Sequence, residues 1–429
     1  MYKLSCTQEE NSPSRATDGC IERTTSDLVQ KKLSVRSIFT RLEIKPQNQG
    51  LWATINFAFV INGIMVIMMG VLLPYIQAEH SLSYTQSGIV FSAHQLGTFI
   101  AVLATGVLPY LIGRKRSTLL MCGGAVVGLL MIIAVHNLFL LILAFALTGI
   151  CRGTLNNTCN VTTAEVSGNR TSAMNILHSG WAFGALISPV IVLAWAQAAG
   201  ASAWRLASVT VAVFIGIVWV LFARSTLPEP PPKEKRKLSM SFLRESSFWA
   251  PTILLFLYVA VETSIIGWFV FYFIDAGTLP RGLAGIVLTI HWSMMTIGRI
   301  CIAVAANRIR NKNIALLVMA IATTICFAGM ILSGSVVLSI LFLLGIGLSM
   351  AGMYPTTVAT MKGATSPVSL GFTVAISGLG GIFLPSIIGA VADARGLATG
   401  ISLLLVGAII MVIVVVWHCM INRRDKSHV

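Results

Sequence analysis

Long apolar segments dominate this sequence and constrain its fold more than any other feature. Hydrophobic residues make up 56% of the 429 residues, and charged residues only 10%. A helix of about 20 apolar residues crosses a hydrocarbon core about 30 Å thick. Because backbone polar groups in lipid must be bonded within the chain, such segments predict helices. The sequence contains twelve of them, at residues 52–77, 86–111, 118–136, 138–163, 172–197, 205–224, 249–274, 283–306, 313–333, 335–360, 367–392 and 398–420.

Polar stretches divide the apolar segments into two sets of six. Residues 1–50 mix both charge signs and lack the apolar core of a signal peptide, which predicts a disordered tail. The Pro-rich, charged residues 225–248 predict a linker between two halves, residues 51–224 and 249–420, and residues 421–429 form a second short tail. The predicted fold is an all-α membrane protein with twelve transmembrane helices in two six-helix halves.

The net charge is +15, and the positions of the basic residues agree with the predicted topology. Nearly all of the thirty Lys and Arg lie in the two tails or in loops after even-numbered spans; the exceptions are Arg152, Arg205, Arg281, Arg299 and Arg395. Cytoplasmic loops of membrane proteins carry this excess of basic residues. We therefore expect a multi-pass protein of the cell (inner) membrane with both termini cytoplasmic. The same segregation argues against a nucleic-acid partner and favours contact with membrane lipid.

The two predicted halves repeat short motifs at a constant offset. The matching pairs, each 196 residues apart, are Arg114 and Arg310, Arg116 and Lys312, Gly184 and Gly380, and Pro189 and Pro385. Parallel repeats joined by a long loop are typical of transporters in which two halves move about a central site. The repeat thus favours a transporter over other membrane proteins.

The segment GVLPYLIGRKRS, residues 106–117, carries a family resemblance. It resembles the signature loop of the major facilitator superfamily, with Tyr110 in place of the acid of that motif. Residues 160–189, 262–273, 291–300 and 377–389 are similar to the fucose-permease-like branch, which comprises sugar:proton symporters. The resemblance implies a gating role for Gly106, Gly113, Arg114, Lys115 and Arg310.

The fourth span places polar residues where leucines would be expected. A charge at the bilayer centre costs about 2.5–3.5 kcal/mol, so Arg152 is expected to face a cavity or a partner. Asn156 and Asn160 follow at intervals of one helical turn on the same face. Amides donate to and accept from sugar hydroxyls. We predict that these three residues bind substrate; the alternative for Arg152 is a structural ion pair or a bond to backbone carbonyls.

Glu262 is the one carboxylate well inside a predicted span. The resemblance brings helices 4 and 7 to one cavity, so we expect Arg152 to rest on Glu262 in the empty protein. Glu262 is the predicted proton-coupling residue, and His291 is the second candidate because imidazole titrates near neutral pH. The alternatives are packing for Glu262 and one neighbour hydrogen bond for His291. The branch's usual proton carboxylates are replaced by Asn156 and Gly70.

Two tryptophans complete the predicted substrate site. Trp268 and Trp292 offer indole faces on which a sugar ring can stack, although tryptophan in membrane helices also anchors the interface. A cavity that holds Arg152 and lacks the branch's two acids also suits an anion. A sugar and a sugar acid therefore both remain open as substrates.

The resemblance implies a secondary active transporter that works by alternating access. Proton-coupled uptake (symport) of a small polar solute, such as a sugar or sugar acid, is the favoured function. Proton-driven efflux of a drug or metabolite is the alternative, because exporters of the superfamily also carry Arg on helix 4. The sequence lacks HExxH, GxSxG and GKS/T patterns, so no enzyme, cofactor or metal site is predicted. The expected partners are the solute and a proton, and the expected state is a monomer.

Overall fold

The chain folds into helices that run one after another through short connections. The computed structural model describes residues 39–200, 204–230, 241–275, 279–305, 311–361 and 367–424. The twelve long helices are α1 Gln49–His80, α2 Tyr84–Thr105, α3 Arg114–Ala134, α4 Leu138–Val166, α5 Arg170–Ala199, α6 Trp204–Arg224, α7 Ser246–Asp275, α8 Ile286–Ala305, α9 Lys312–Leu332, α10 Val336–Met350 with its continuation Met353–Thr360, α11 Pro367–Arg395 and α12 Leu397–Arg424.

Each predicted span coincides with one of these helices, which confirms the all-α membrane fold. In the described ranges, eleven helices are long and apolar enough to cross a membrane, and Ile286–Ile302 in α8 is a shorter apolar helix. Helix α10 is interrupted between Met350 and Met353, a break that the hydropathy of the sequence does not reveal. The bundle thus comprises α1–α6 (the first half) and α7–α12 (the second half).

The predicted tails and linker are described only in part. Residues 1–38, 231–240 and 425–429 lie outside the described residues, so the predicted disorder of the tail is untested there. Residues 39–48 are packed: Leu42 and Ile44 are buried. Ile44 forms a β-bridge with Ser167, whose hydroxyl donates to the Leu42 carbonyl at 2.7 Å. Within the described residues, buried side chains therefore extend before α1 as far as Leu42.

Helices α1 and α7 are the most enclosed elements of the bundle. Over their most apolar stretches, 89% and 72% of the residues are buried, against 28% in α9. Helices α3 and α9 instead expose large apolar side chains such as Leu120 and Leu332. In a membrane protein such side chains face lipid, because hydrocarbon solvates them as well as a protein core does. The two enclosed helices therefore form the centre of the bundle.

Glycines bring neighbouring helices of the first half into backbone contact. A Cβ atom added at Gly184 of α5 would fall on the Val60 carbonyl of α1. One added at Gly149 of α4 would likewise fall on the His94 carbonyl of α2. Small residues of this kind allow close helix approach in membranes. They make the first half a closely packed unit.

The two halves meet tightly at one end of the bundle. We call the end that holds the start of α1 and the end of α12 the terminal end, and the opposite one the distal end. At the distal end a Cβ atom at Gly88 of α2 would lie 2.8 Å from the Pro385 carbonyl oxygen of α11. Nearby, the Ser386 hydroxyl donates to the Ser92 hydroxyl at 2.8 Å. Helices α2 and α11 therefore close the bundle at its distal end.

Asp393, near the end of α11, caps the start of α2. Its two carboxylate oxygens accept hydrogen bonds from the backbone N–H groups of Tyr84 and Thr85, each at 2.8 Å. The Gln86 N–H donates to the Ser83 hydroxyl, and the Ser83 N–H, just before the helix, donates to the side-chain oxygen of Gln86. The first four donors of a helix have no partner within the helix itself. All four are satisfied here, two of them by a residue of the other half.

Candidate functional site

A cavity lies between the two halves near the middle of the bundle. Its volume is about 550 Å³, within the range of small-molecule sites. Its lining comes from α1, α2, α4 and α5 of the first half and from α7, α8, α10 and α11 of the second. Four residues predicted for the site line it: Arg152, Asn156, Glu262 and Trp292. Their predicted roles in substrate binding and proton coupling stay predictions.

Arg152 does not form the predicted ion pair with Glu262. Its Nη1 atom donates a hydrogen bond to Oε1 of Gln95, on α2, at 2.7 Å. Gln95 is buried and also lines the cavity. The expectation of a direct ion pair is therefore corrected: the two charges share one cavity, but α2 comes close enough to α4 to supply an amide instead.

Glu262 is bonded within the second half. Its Oε1 atom accepts a hydrogen bond from the Tyr258 hydroxyl at 2.8 Å, one turn earlier on α7. The same oxygen lies 4.0 Å from Nη2 of Arg299 on α8. Tyr354 of α10 packs its ring against that of Tyr258, with centroids 5.8 Å apart. A carboxylate, a guanidinium and two phenols therefore form one polar group on this wall.

The amides of α4 continue the polar wall of the first half. Asn160 donates through Nδ2 to the carbonyl oxygen of Asn156 at 2.6 Å. Its Oδ1 atom lies 3.0 Å from Nε2 of His178 on α5. Asn156 and His178 line the cavity, whereas Asn160 stands behind them. Asn160 is thus placed to orient the imidazole. Its predicted role in substrate binding would require it to line the cavity, which it does not.

The two predicted tryptophans occupy different places. Trp292 of α8 lines the cavity and packs edge-on against Trp181 of α5, with ring centroids 4.9 Å apart. Trp268 is fully buried and donates through Nε1 to the Pro385 carbonyl at 3.1 Å. It lies on α7 about a turn and a half beyond Glu262, towards the distal end. Its predicted stacking role is therefore corrected to one of packing.

His291 is enclosed in the protein and does not line the cavity. Its side chain is fully buried, and neither ring nitrogen has a hydrogen-bond partner among the described residues. The neighbouring Trp292 turns towards the cavity, so His291 lies on another face of α8. A proton bound there would have to pass through packed side chains. The geometry thus favours Glu262 over His291 as the site of proton exchange.

Several cavity residues were not assigned a role by sequence reasoning. Gln95, Tyr258 and Tyr354 are polar residues in apolar spans, a common occurrence that carries little signal. Arg299 carries a stronger signal, because it is one of two basic residues inside predicted spans. The free-energy cost of a charge in the bilayer applies to it as it does to Arg152.

The signature loop lies away from the cavity, at the terminal end. Arg114 forms a two-pronged ion pair with Glu165 at the end of α4, and its Nη2–Oε1 distance is 2.9 Å. The Arg114 backbone N–H donates to Glu229 of the linker at 3.0 Å. Gly113 has a φ of 84°, which side chains rarely adopt, and so permits the turn into α3. The loop thus ties α3, α4 and the start of the linker together.

The other predicted gating residues are placed unevenly. Gly106 follows the last residue of α2, and Lys115 lies in the first turn of α3 beside Arg114. Arg310, the matching residue of the second half, lies outside the described residues. The described contacts of Arg114 join it to α4 and to the linker. A gating role therefore remains a prediction.

The cavity can recognise a polar solute. It offers amide, hydroxyl, guanidinium and carboxylate groups together with two indole rings. Within the part of the chain that the structure describes, no group of three or more His, Cys, Asp or Glu side chains could hold a metal ion. The hydrogen-bonding groups and indole rings of the lining suit a small polar molecule.

Comparison of the sequence with known families and proteins agrees with this architecture. The sequence profile of the Major Facilitator Superfamily matches residues 55–367. The chain is 26% identical to a glucose/galactose transporter of Brucella abortus, over 82% of this chain and 90% of the relative. It is 25% identical to the hexuronate transporter of Bacillus subtilis, over 56% and 60%. It is 21% identical to the yeast Bypass of stop codon protein 6, over 79% and 76%.

Solved structures share the fold at low sequence identity. The D-xylose-proton symporter superposes with a TM-score of 0.71 at 12% identity, covering 87% of this chain and 97% of that one. The E. coli fucose:proton symporter gives a TM-score of 0.59 at 16% identity, covering 86% and 98%. At such identities the likeness concerns the fold and not the substrate.

Proposed function

Because this chain belongs to the major facilitator superfamily, we propose that it takes up a sugar or sugar acid together with a proton by alternating access. In this cycle the central cavity opens to one side of the membrane and then to the other. The two halves, α1–α6 and α7–α12, are the moving bodies. The cell (inner) membrane, with both termini cytoplasmic, is the proposed location.

The observation that carries the proposal is the polar cavity between the halves. Towards the distal end, the contacts between α2 and α11 close it. Towards the terminal end, its lining continues along α2 to Phe99 and Val102 and along α5 to Asn175. This arrangement supports a state that faces the terminal end. With the proposed orientation, it is the state that releases an imported solute into the cytoplasm.

Glu262 is the proposed proton carrier. The titratable and charged groups around it are Tyr258 on its own helix, Arg299 on α8, Tyr354 on α10 and Arg152 across the cavity on α4. Protonation would remove its attraction for Arg299 and leave that guanidinium free for a ligand. Solute binding and protonation would then favour each other, which is the requirement for symport.

Two matching relatives suggest the probes for a direct test. One is named for glucose and galactose and the other for hexuronate. Purified protein in liposomes would be given radiolabelled glucose, galactose, glucuronate and galacturonate, with and without an inward proton gradient. We expect accumulation of at least one probe above equilibrium, abolished by a protonophore. Accumulation that ignores the gradient would contradict proton coupling, and gradient-driven loss of preloaded probe would favour the efflux alternative.

A variant pair isolates the proton step. Glu262→Gln should abolish gradient-driven accumulation while leaving exchange of labelled for unlabelled probe across the membrane, because exchange requires no net proton movement. Glu245→Gln is the matched control, since Glu245 is an exposed carboxylate at the start of α7, away from the cavity. If Glu262→Gln still accumulates the probe like wild type, the proton is carried elsewhere.

A further inference from the structure

The charges on the cavity wall do not balance. Three side chains that are charged at neutral pH line it: Arg152, Glu262 and Arg299. The remaining titratable side chains of the lining, His178, Tyr258 and Tyr354, are neutral in their usual forms. With Glu262 ionised, the cavity therefore holds one more positive than negative charge; with Glu262 protonated, as in the proposed loaded state, it holds two more. An occupant with one negative charge lowers the excess in either state.

The excess charge can be assigned to Arg152. Glu262 already has a cation, Arg299, at 4.0 Å and a hydrogen-bond donor, Tyr258, at 2.8 Å. Arg152 has the neutral amide oxygen of Gln95 at 2.7 Å, and no carboxylate of the described chain forms an ion pair with it. A guanidinium offers five donors, and Gln95 occupies one of them. Most of its capacity is left for a ligand.

The partial burial of Arg152 makes an anionic ligand favourable. A charge removed from water without a partner is costly, and an arriving carboxylate would lower that cost. Arginine also matches a carboxylate in shape, because two parallel N–H groups can bond its two oxygens. A neutral hydroxyl would satisfy one donor and leave the charge uncompensated. The site therefore distinguishes an acid from a neutral solute of the same size.

The opposite wall supplies contacts for the rest of such a molecule. Trp292 lines the cavity, and its indole N–H is buried without an acceptor in the described chain. Asn156 and His178 present polar atoms from the wall on which Arg152 lies. An occupant with oxygen atoms distributed around a small ring would contact Asn156 and His178 together and pack against the Trp292 indole. A carboxylate alone would reach Arg152 without contacting them.

We propose that the transported solute is a hydroxylated monocarboxylate of monosaccharide size, a sugar acid, whose carboxylate is bound by Arg152. This inference rests on the proposed function as a transporter and narrows it from sugars in general to their acids. Gln95 holds the guanidinium in the empty state and is displaced, or shares it, when the acid arrives.

Matched ligand pairs test the inference without any mutation. Binding of glucose against glucuronate, and of galactose against galacturonate, would be measured by titration calorimetry on detergent-purified protein at a fixed pH. Each pair differs in one carboxylate. We expect the acid to bind at least 10-fold more tightly than the neutral sugar, since a charge-assisted pair contributes about 1.5–3 kcal/mol and 1.4 kcal/mol is tenfold. Equal affinities, or tighter binding of the neutral sugar, would overturn the inference.

A variant assigns the effect to Arg152. Arg152→Gln should weaken binding of the acid about 10- to 100-fold while changing that of the neutral sugar much less. Arg152→Lys, which keeps the charge but lacks the planar fork, should fall between. Arg170→Gln, an exposed arginine at the start of α5, is the matched control and should bind like wild type. Equal losses for acid and neutral sugar in Arg152→Gln would refute the assigned role.

Transport separates this inference from the function on which it rests. If liposomes accumulate glucose or galactose with the proton gradient but not the acids, the transporter function stands and the acid inference falls. If none of the four probes binds or crosses, both fall. Gradient-driven accumulation of an acid, lost in Arg152→Gln but not in Arg170→Gln, supports both.

Discussion

The carboxylate of Asp393 is predicted to hold the distal end closed. It bonds the first two N–H groups of α2, and these bonds must break when α2 and α11 separate. Caps of a helix N-terminus contribute about 0.5–2 kcal/mol, and an exposed anion at that end adds about 0.3–1 kcal/mol through the helix dipole. In the Asp393→Ala variant, water would replace part of the capping and dipole interactions. We therefore expect the variant to favour the open distal end by about 1–2 kcal/mol, which changes the ratio of open to closed protein about 5- to 30-fold.

Distances between spin labels would measure this change. Labels at Ser81 and Ala398, two exposed positions at the distal end on different halves, report its opening in double electron–electron resonance. Asp393→Ala should increase the long-distance fraction, and Asp393→Asn, which keeps one acceptor oxygen, should increase it less. Glu79→Ala is the control, since Glu79 lies at the same end but bonds Trp204 and Arg205 of its own half. Distributions equal to wild type in both Asp393 variants would refute the reasoning.

Three further predictions concern the proton, the signature loop and the topology. Affinity for glucuronate should fall as pH rises from 5.5 to 8.5, because ionised Glu262 repels the anion and engages Arg299. In Glu262→Gln the affinity should not change with pH. Arg114→Gln should lower the thermal unfolding temperature in detergent through a loss of about 1–3 kcal/mol, whereas Lys115→Gln should not, because Arg114 is buried and paired. A reporter fused after residue 230 should be active only as a cytoplasmic fusion, and one after residue 279 only as a periplasmic fusion.

The fold was predictable because lipid imposes a simple requirement. Every spanning segment must be apolar and helical, so the length of each apolar run locates a helix to within a few residues. The break in α10 after Met350 was not predictable, since it falls inside an apolar run. The buried contacts within residues 39–48 were not predictable either, because they lie outside any apolar run. That segment is polar overall, and it is held by Leu42, Ile44 and their contacts with Ser167.

The candidate site was predictable in its charges but not in their pairings. The cost of placing Arg152 and Glu262 in lipid predicted that both face a cavity or a partner, and both line the cavity. Which partner each one binds depends on the rotation of α2 and α8 about their own axes, which hydropathy leaves undetermined. The same uncertainty misplaced Trp268, because its face of α7 turns towards Pro385.

The glycines at the distal end also determine how readily the halves can part. Where large side chains interdigitate, separation requires each to withdraw and change rotamer. At Gly70 and Gly88 the glycine Cα instead packs directly against the carbonyls of Ile266 and Pro385. The two surfaces can therefore separate there without a side chain changing rotamer. A methyl group at either position would act as a wedge, too large for the closed state and harmless in the open one. These two positions therefore offer a way to lock the protein open for structural study.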